Sequence, residues 1–176
     1  RTILFPGSSG VGKTSIVLGL ILQGWTFLSD EIAPVQKETY RVHPFPRVIN
    51  LKREAFDMFR SFDSANVLDS PGTIMEIDGV SCVTPRRFNL APCGFSAKVD
   101  LIVFPTYKKG SQTSIAGISR AKCASLLMQH TANLKNSPGD ALKILGTVAE
   151  GARCFQLRSG SLDASLELVT DLCEQR

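Results

Sequence analysis

The apolar residues of this chain recur with two spacings, one typical of strands and one typical of helices. Short apolar runs predict buried strands at residues 2–5, 25–28, 99–104 and 154–157. Apolar residues at helical spacing predict helices at residues 12–23, 51–60, 119–130, 138–150 and 161–174. Gly24 and Ser119 are the predicted helix caps, a hairpin is expected around residues 37–39, and residues 73–98 predict irregular strands and loops. This alternation of strands and helices indicates an α/β domain.

The composition narrows the class of protein. The chain has 176 residues, the length of one domain that can bury a core without disulfides or metal. Hydrophobic residues make up 43% and charged residues 20%, values typical of a globular domain and not of a disordered chain. No apolar run approaches the roughly 20 residues of a transmembrane helix, so we expect no membrane partner.

The charge, the cysteines and the start of the chain each add one expectation. The net charge is +4 and the basic residues are scattered without interleaved aromatics, so no nucleic-acid partner is expected. The five cysteines form no C-x-x-C pair, which predicts reduced thiols in a cytoplasmic protein rather than a zinc site or a disulfide framework. The chain begins without Met and enters an apolar strand at once, so we expect a fragment that lacks an upstream region.

One segment matches the phosphate-loop motif G-x-x-x-x-G-K-[ST] in full, between a predicted strand and a predicted helix. Its residues are Gly7, Ser8, Ser9, Gly10, Val11, Gly12, Lys13 and Thr14. Glycines let the backbone curl so that several N–H groups face phosphate oxygens, and the helix that follows adds its positive end. Lys13 would contact the β- and γ-phosphates, and the Thr14 hydroxyl would bind Mg²⁺. The motif predicts ATP and Mg²⁺ as ligands.

An acidic pair, Asp30 and Glu31, follows the second predicted strand. If that strand lies parallel to the first, it ends at the same edge of the sheet as the phosphate loop. A carboxylate there can hold Mg²⁺ or accept a proton from an attacking hydroxyl. Position alone leaves a second interpretation open, a charged turn between two strands.

Together these segments resemble the HPr kinase/phosphorylase family, and within it the related proteins described as serine kinases. The resemblance rests on the phosphate loop, Ser29-Asp30-Glu31, Pro44-Phe-Pro-Arg47, the strand at residues 101–105 and a helix opened by Ser119-Arg-Ala. It covers nearly the whole chain, most weakly at residues 60–98. It implies a P-loop domain of the HPr-kinase/PEP-carboxykinase-like type over residues 1–176. It also implies transfer of the ATP γ-phosphoryl group to a serine or other hydroxyl of a protein, peptide or small molecule, and assembly into oligomers.

The resemblance further implies site residues and shows two departures. Asp30 takes the place of the general base, and Glu31 that of a metal-binding Asp in the bifunctional enzymes. The Glu-x-Arg-Gly-Leu-Gly-like segment of those enzymes is absent, which argues against phosphorylase activity. Thr106 stands where relatives often have Arg, and Lys108 or Lys109 are the candidates to supply that charge.

The sequence also leaves open alternative interpretations of one residue and of the overall function. Arg47, held extended by the prolines at positions 44 and 46, is a candidate to stabilise transition-state charge, or else a surface residue. Asp69-Ser-Pro-Gly72 matches the D-x-x-G of GTPases, but no N-K-x-D guanine motif follows it. A nucleotide-sensing module without catalysis is the remaining alternative. Of the three functions, the sequence therefore favours the kinase first, the nucleotide sensor second and the GTPase third.

Overall fold

The computed structural model describes residues 1–52, 56, 59, 73–77, 80–85 and 88–175. Its strands are β1 (Ile3–Leu4), β2 (Ile49–Lys52), β3 (Ile74–Ile77), β4 (Val80–Val83), β5 (Leu101–Tyr107), β6 (Ser114–Gly117) and β7 (Arg153–Ser159). The helices whose two ends lie within these residues are α1 (Lys13–Leu22), α2 (Arg120–Gln129), α3 (Pro138–Gly151) and α4 (Leu162–Glu174). None of the helices in these described ranges is long and apolar enough to cross a membrane.

The chain divides into two compact units, each described separately below. Unit 1 comprises Arg1–Lys13, Val35–Val42 and Ser96–Arg176. Unit 2 comprises Thr14–Pro34 and His43–Phe95.

Unit 1 is built on a four-stranded sheet in the order β1-β5-β7-β6. The strands β1, β5 and β7 are parallel, and β6 runs antiparallel to β7. Residues 101–105 of β5 are buried because β5 lies inside the sheet, as the continuous apolar run there predicts. The parallel strands alternate with helices, so the α/β class predicted from the sequence is confirmed.

The helices of unit 1 begin where the sequence places them. The Ser119 side chain accepts a hydrogen bond from the backbone N–H of Lys122 at 3.3 Å, which caps α2 as predicted. The predicted helices at 138–150 and 161–174 are α3 and α4, and α4 buries Leu166, Val169 and Leu172. The predicted hairpin around residues 37–39 is also present, since Val35 pairs antiparallel with Val42.

The helix α1 ends in a Schellman motif. Gly24 adopts φ +93°, the left-handed conformation that favours glycine. Its N–H donates to the carbonyl of Ile21 at 2.9 Å, and the N–H of Trp25 donates to the carbonyl of Leu20 at 3.1 Å. These bonds satisfy carbonyls that a helix end would otherwise leave unpaired, and they confirm Gly24 as the cap.

Unit 2 contains a three-stranded antiparallel sheet in the order β2-β4-β3. Val83 of β4 pairs with Ile49 of β2 on one side and with Ile74 of β3 on the other. The helix predicted for residues 51–60 is therefore wrong at its start, because Leu51 lies in β2, although Phe56 and Phe59 are helical and buried. The expectation of irregular structure for residues 73–98 missed the ordered pair of strands β3 and β4.

The strand predicted at residues 25–28 joins neither sheet. Phe27 makes a single parallel pair with Leu90, and Ser29 makes one with Phe45. The segment is not among the strands of either sheet, β1-β5-β7-β6 or β2-β4-β3. The segment is instead fixed by local pairs within unit 2, where the buried Phe27 ring meets Phe88 edge-on at 6.1 Å between centroids.

Candidate functional site

The predicted phosphate loop begins directly after β1, at the carboxyl edge of the parallel sheet of unit 1. Open α/β sheets bind their ligands at this edge. Gly10 and Gly12 have φ +84° and +93°, which L side chains rarely adopt, so the turn of the loop depends on glycine at both positions. Ser8, Ser9 and Gly10 are exposed, which leaves this part of the loop accessible to a ligand.

Gly7 is also required at the loop for reasons of space. A Cβ atom added at Gly7 would lie 2.8 Å from Cγ2 of Val11, closer than real Cβ contacts come. A Cβ at Gly12 would lie 3.5 Å from Cβ of Tyr107, so the loop passes close to the last residue of β5. The space beside Val11 thus requires glycine at position 7, whereas the backbone conformation requires it at position 12. Tyr107 is a neighbour of the loop that the sequence analysis did not identify.

Lys13 folds back over the loop. Its Nζ donates a hydrogen bond to the carbonyl oxygen of Ser8 at 2.6 Å. An ammonium group has three donors, so two remain for other acceptors. Lys13 therefore stands over the exposed part of the loop in a position to bind an oxyanion there.

Thr14 and Asp30, both in unit 2, come together as the sequence predicted. Thr14 Oγ1 lies 3.5 Å from Oδ2 of Asp30, and Asp30 is only 8% exposed. Adjacent ligands of an octahedral Mg²⁺ are about 3 Å apart, given Mg–O distances near 2.1 Å. The spacing of these two oxygens thus suits a shared Mg²⁺ after a small adjustment.

Glu31 and Arg47 meet each other on the surface of unit 2. Arg47 Nη1 lies 3.7 Å from Oε2 of Glu31, and the side chains are 54% and 60% exposed. Glu31 has φ +68°, an uncommon conformation for a residue with a Cβ. The backbone reverses here, because Ile32 N–H donates to the carbonyl of Asp30 at 2.9 Å. This reversal separates the two acidic neighbours, leaving Asp30 buried and Glu31 exposed.

The hydroxyl of Ser29 holds the acidic segment in place. Its Oγ lies within hydrogen-bonding distance of the carbonyl of Ile32 and of the carbonyl of Phe45, the latter at 3.1 Å. The N–H of Phe45 donates in turn to the carbonyl of Leu28 at 2.9 Å. These bonds tie the acidic pair to the segment that carries Arg47, which explains why residues distant in sequence meet.

The strand next to β1 carries no carboxylate at its carboxyl end. Asp100 directly precedes β5 in the sequence, at the amino end of the strand, where it accepts a hydrogen bond from the N–H of Thr2 at 2.7 Å. It also lies 3.8 Å from Arg1 Nη1. Asp100 is therefore a structural residue that anchors β1 to β5, and it lies at the wrong edge of the sheet for a metal beside the loop.

The described residues contain no group of three or more His, Cys, Asp or Glu side chains that could hold a metal ion. A Mg²⁺ site built from few protein ligands is nevertheless typical of nucleotide-binding proteins, since phosphate oxygens and water complete the coordination. Thr14 and Asp30 fit that kind of site. The D-x-x-G segment Asp69–Gly72 lies outside the described residues.

Comparison with known proteins gives no relative. No protein-family model, no curated protein and no solved structure matches this chain. The resemblance to the HPr kinase/phosphorylase family therefore rests on the sequence motifs alone.

Proposed function

We propose that this protein binds Mg·ATP and transfers the γ-phosphoryl group to a hydroxyl acceptor, as a cytoplasmic P-loop kinase of the HPr-kinase-like type. The observation that carries the proposal is the complete phosphate-loop motif between β1 and α1, with Gly10 and Gly12 in the left-handed conformation. A curled loop of this kind turns its N–H groups toward an anion. Lys13, already folded over the loop, supplies the cation.

Thr14 and Asp30 are the residues that would hold Mg²⁺. Thr14 follows Lys13 directly, and its hydroxyl lies 3.5 Å from the carboxylate of Asp30. The ion neutralises charge on the phosphate oxygens when it is bound. Since Glu31 is exposed and faces Arg47, it supports the metal less directly than Asp30 does.

The proposed reaction is a single phosphoryl transfer coupled to one proton transfer. The acceptor oxygen forms a bond to the γ-phosphorus while the bond to the ADP oxygen breaks, and the hydroxyl proton passes to a base. The resemblance implies Asp30 as that base. A carboxylate that ligates Mg²⁺ has a lowered proton affinity, so the geometry beside Thr14 favours the metal-binding role of Asp30 over the base role.

Calorimetric titration of the chain with Mg·ATP and with Mg·GTP tests the proposal. Mg·ATP should bind, and at a concentration 100 times its Kd it should stabilise the fold by about 2.7 kcal/mol. Lys13→Ala should lose this stabilisation because the phosphates lose their cation, whereas Lys98→Ala, an exposed lysine at the amino end of β5, should keep it. An unchanged response in Lys13→Ala would overturn the assignment.

The other two functions are outcomes of the same experiment. Preference for Mg·GTP with hydrolysis would favour the GTPase. Binding of Mg·ATP with no transfer to protein, peptide or small hydroxyl acceptors would favour a nucleotide-sensing module.

A further inference from the structure

Three basic side chains stand at the carboxyl edge of the unit 1 sheet. Lys108 and Lys109 follow β5 directly, and Arg158 is the last residue but one of β7. All three are exposed, and within the part of the chain that the structure describes none of them forms an ion pair. Arg158 is the register partner of Thr106, so it lies beside the end of β5 rather than apart from it.

The turn at residues 108–113 that carries the two lysines is fixed to the end of β7. Lys108 N–H donates to the carbonyl of Ser159 at 3.0 Å. The hydroxyl oxygen of Thr113 accepts hydrogen bonds from the N–H groups of Gly160 and Ser161, each at 3.1 Å. A Cβ at Gly160 would lie 1.7 Å from the carbonyl oxygen of Ser111, so this close approach requires glycine. The backbone that presents the cations is thus held in place before any ligand binds.

The same turn adjoins the phosphate loop. The preceding residue, Tyr107, is the one whose Cβ lies 3.5 Å from the Cβ position of Gly12. Neighbouring strands are about 5 Å apart, so Arg158, on the second strand from β1, stands about 10 Å across the sheet from the loop. The three cations therefore lie next to the loop, on the side away from the β1 edge.

The stretches of sequence that carry these cations contain no carboxylate of their own. Residues 105–113 and 157–161 contain no Asp or Glu. The first acidic residue after them is Asp163, in the first turn of α4, where it faces the amide end of that helix. Exposed cations without counter-ions raise the local concentration of anions. Under the proposed function the loop backbone and Lys13 bind the phosphates of the nucleotide, which leaves these cations for a second anionic group.

We propose that Lys108, Lys109 and Arg158 bind a carboxylate or phosphate group carried by the small hydroxyl compound that accepts the phosphoryl group. This inference rests on the proposed phosphotransfer and adds the class of acceptor to it. Two lysines and an arginine at the ends of the paired strands β5 and β7 suit an anionic group, which Arg binds through paired donors and Lys through its point charge.

Direct binding tests the inference. The protein is titrated with glycerol, D-glycerate and glycerol 3-phosphate, with and without Mg²⁺ and a non-hydrolysable ATP analogue. At least one of the two anionic compounds should bind on the order of tenfold more tightly than neutral glycerol, and the comparison of the two identifies carboxylate or phosphate as the group. Lys109→Ala and Arg158→Gln should each weaken that binding by about tenfold, since each removes a charge-assisted contact. Lys98→Ala, which removes a cation from the opposite end of β5, should not.

Phosphoryl transfer gives the second readout. The triple variant Lys108→Ala/Lys109→Ala/Arg158→Gln should raise KM for the anionic acceptor while the Kd of Mg·ATP stays the same. Equal loss of transfer to glycerol and to the anionic acceptors would overturn the inference, because the cations would then act on the nucleotide. Equal binding of all three compounds would overturn it too. If the ATP analogue fails to bind but the anions bind through these residues, the anion site stands and the phosphotransfer proposal falls.

Discussion

Thr14 Oγ1 and Asp30 Oδ2 lie 3.5 Å apart, although 16 positions separate the two residues along the chain. The carboxylate is buried and the hydroxyl is in the first turn of α1. A buried carboxylate needs polar or charged partners, and the Thr14 hydroxyl is one of them.

Replacing Asp30 tests this arrangement. Asp30→Asn keeps the size of the side chain but removes the charge, so the Mg²⁺ concentration that supports half-maximal turnover should rise. Turnover at saturating Mg²⁺ and ATP should fall by about 10²–10⁴ if Asp30 is also the base. Glu31→Gln, the neighbouring change at an exposed residue, should have a much smaller effect on Mg²⁺ dependence. If Asp30→Asn keeps the wild-type rate and Mg²⁺ dependence, the acidic pair is only a charged turn.

Alanine substitutions at two glycines with the same φ angle distinguish an effect on nucleotide binding from an effect on stability. Gly12 and Gly24 both have φ +93°, so alanine at either position should cost about 1–2 kcal/mol of unfolding free energy. Gly12→Ala should also lose Mg·ATP binding, because the loop must change shape, whereas Gly24→Ala should only lose stability at the end of α1. Denaturant unfolding and nucleotide titration of both variants make the comparison. Loss of binding in Gly24→Ala alone would contradict it.

The Glu31–Arg47 ion pair should contribute little to stability. Both side chains are more than half exposed, so a double-mutant cycle with Glu31→Gln and Arg47→Ala should give a coupling energy below about 1 kcal/mol, and less at high salt. Arg47→Ala should lower turnover with little change in ATP affinity if Arg47 stabilises transition-state charge. Unchanged turnover would identify Arg47 as a surface residue paired with Glu31.

The cysteines should differ sharply in reactivity. Cys93 is exposed, whereas Cys123 is buried. A hydrogen bond with the Cys154 thiol and burial raise the pKa of Cys123. At pH 8 a thiol reagent should therefore label Cys93 in the folded protein and reach Cys123 only after unfolding.

The raised pKa of Cys123 also determines whether the free energy of unfolding rises or falls with pH. In the unfolded chain the thiol ionises near pH 8.5, at about its ordinary pKa, while the folded protein keeps it protonated. The stabilisation is thus complete below that pH and decreases as the pH rises above it, since the unfolded state then binds fewer protons. The hydrogen bond with Cys123 lowers the pKa of Cys154, which contributes with the opposite sign, so the measurement is made in a Cys154→Ala background, where burial still raises the pKa of Cys123. Unfolding free energies between pH 7 and 10 measure the slope there, which Cys123→Ala should reduce and Cys93→Ser should not.

Local signals in the sequence predicted local structure well. The apolar runs of β5 and β7, the cap at Ser119 and the stop at Gly24 all depend on residues within a few positions of each other. The glycine pattern of the phosphate loop likewise predicts its positive φ angles, because those follow from steric limits at single residues. Within the candidate site, the phosphate-loop motif and the acidic pair together predict that Thr14 and Asp30 lie near each other.

Pairing between distant segments was where prediction failed. The segment around Phe27 has a strand pattern, but its pairing with Leu90 depends on tertiary packing. Leu51 was assigned to a helix because its spacing to Phe56 and Phe59 fits one, yet it pairs in β2. The Glu31–Arg47 contact was not foreseen because it depends on the bonds of Ser29 to a segment 16 residues away.

The strand lengths of the unit 1 sheet bear on how the protein behaves at high concentration. The two seven-residue strands, β5 and β7, lie inside the sheet, while the outer strands β1 and β6 have two and four residues. An edge strand exposes unpaired N–H and C=O groups on which another chain can extend the sheet, and short edges limit that. The arrangement therefore keeps the two longest strands, including the apolar run of β5, away from the edges, where sheet-to-sheet aggregation starts.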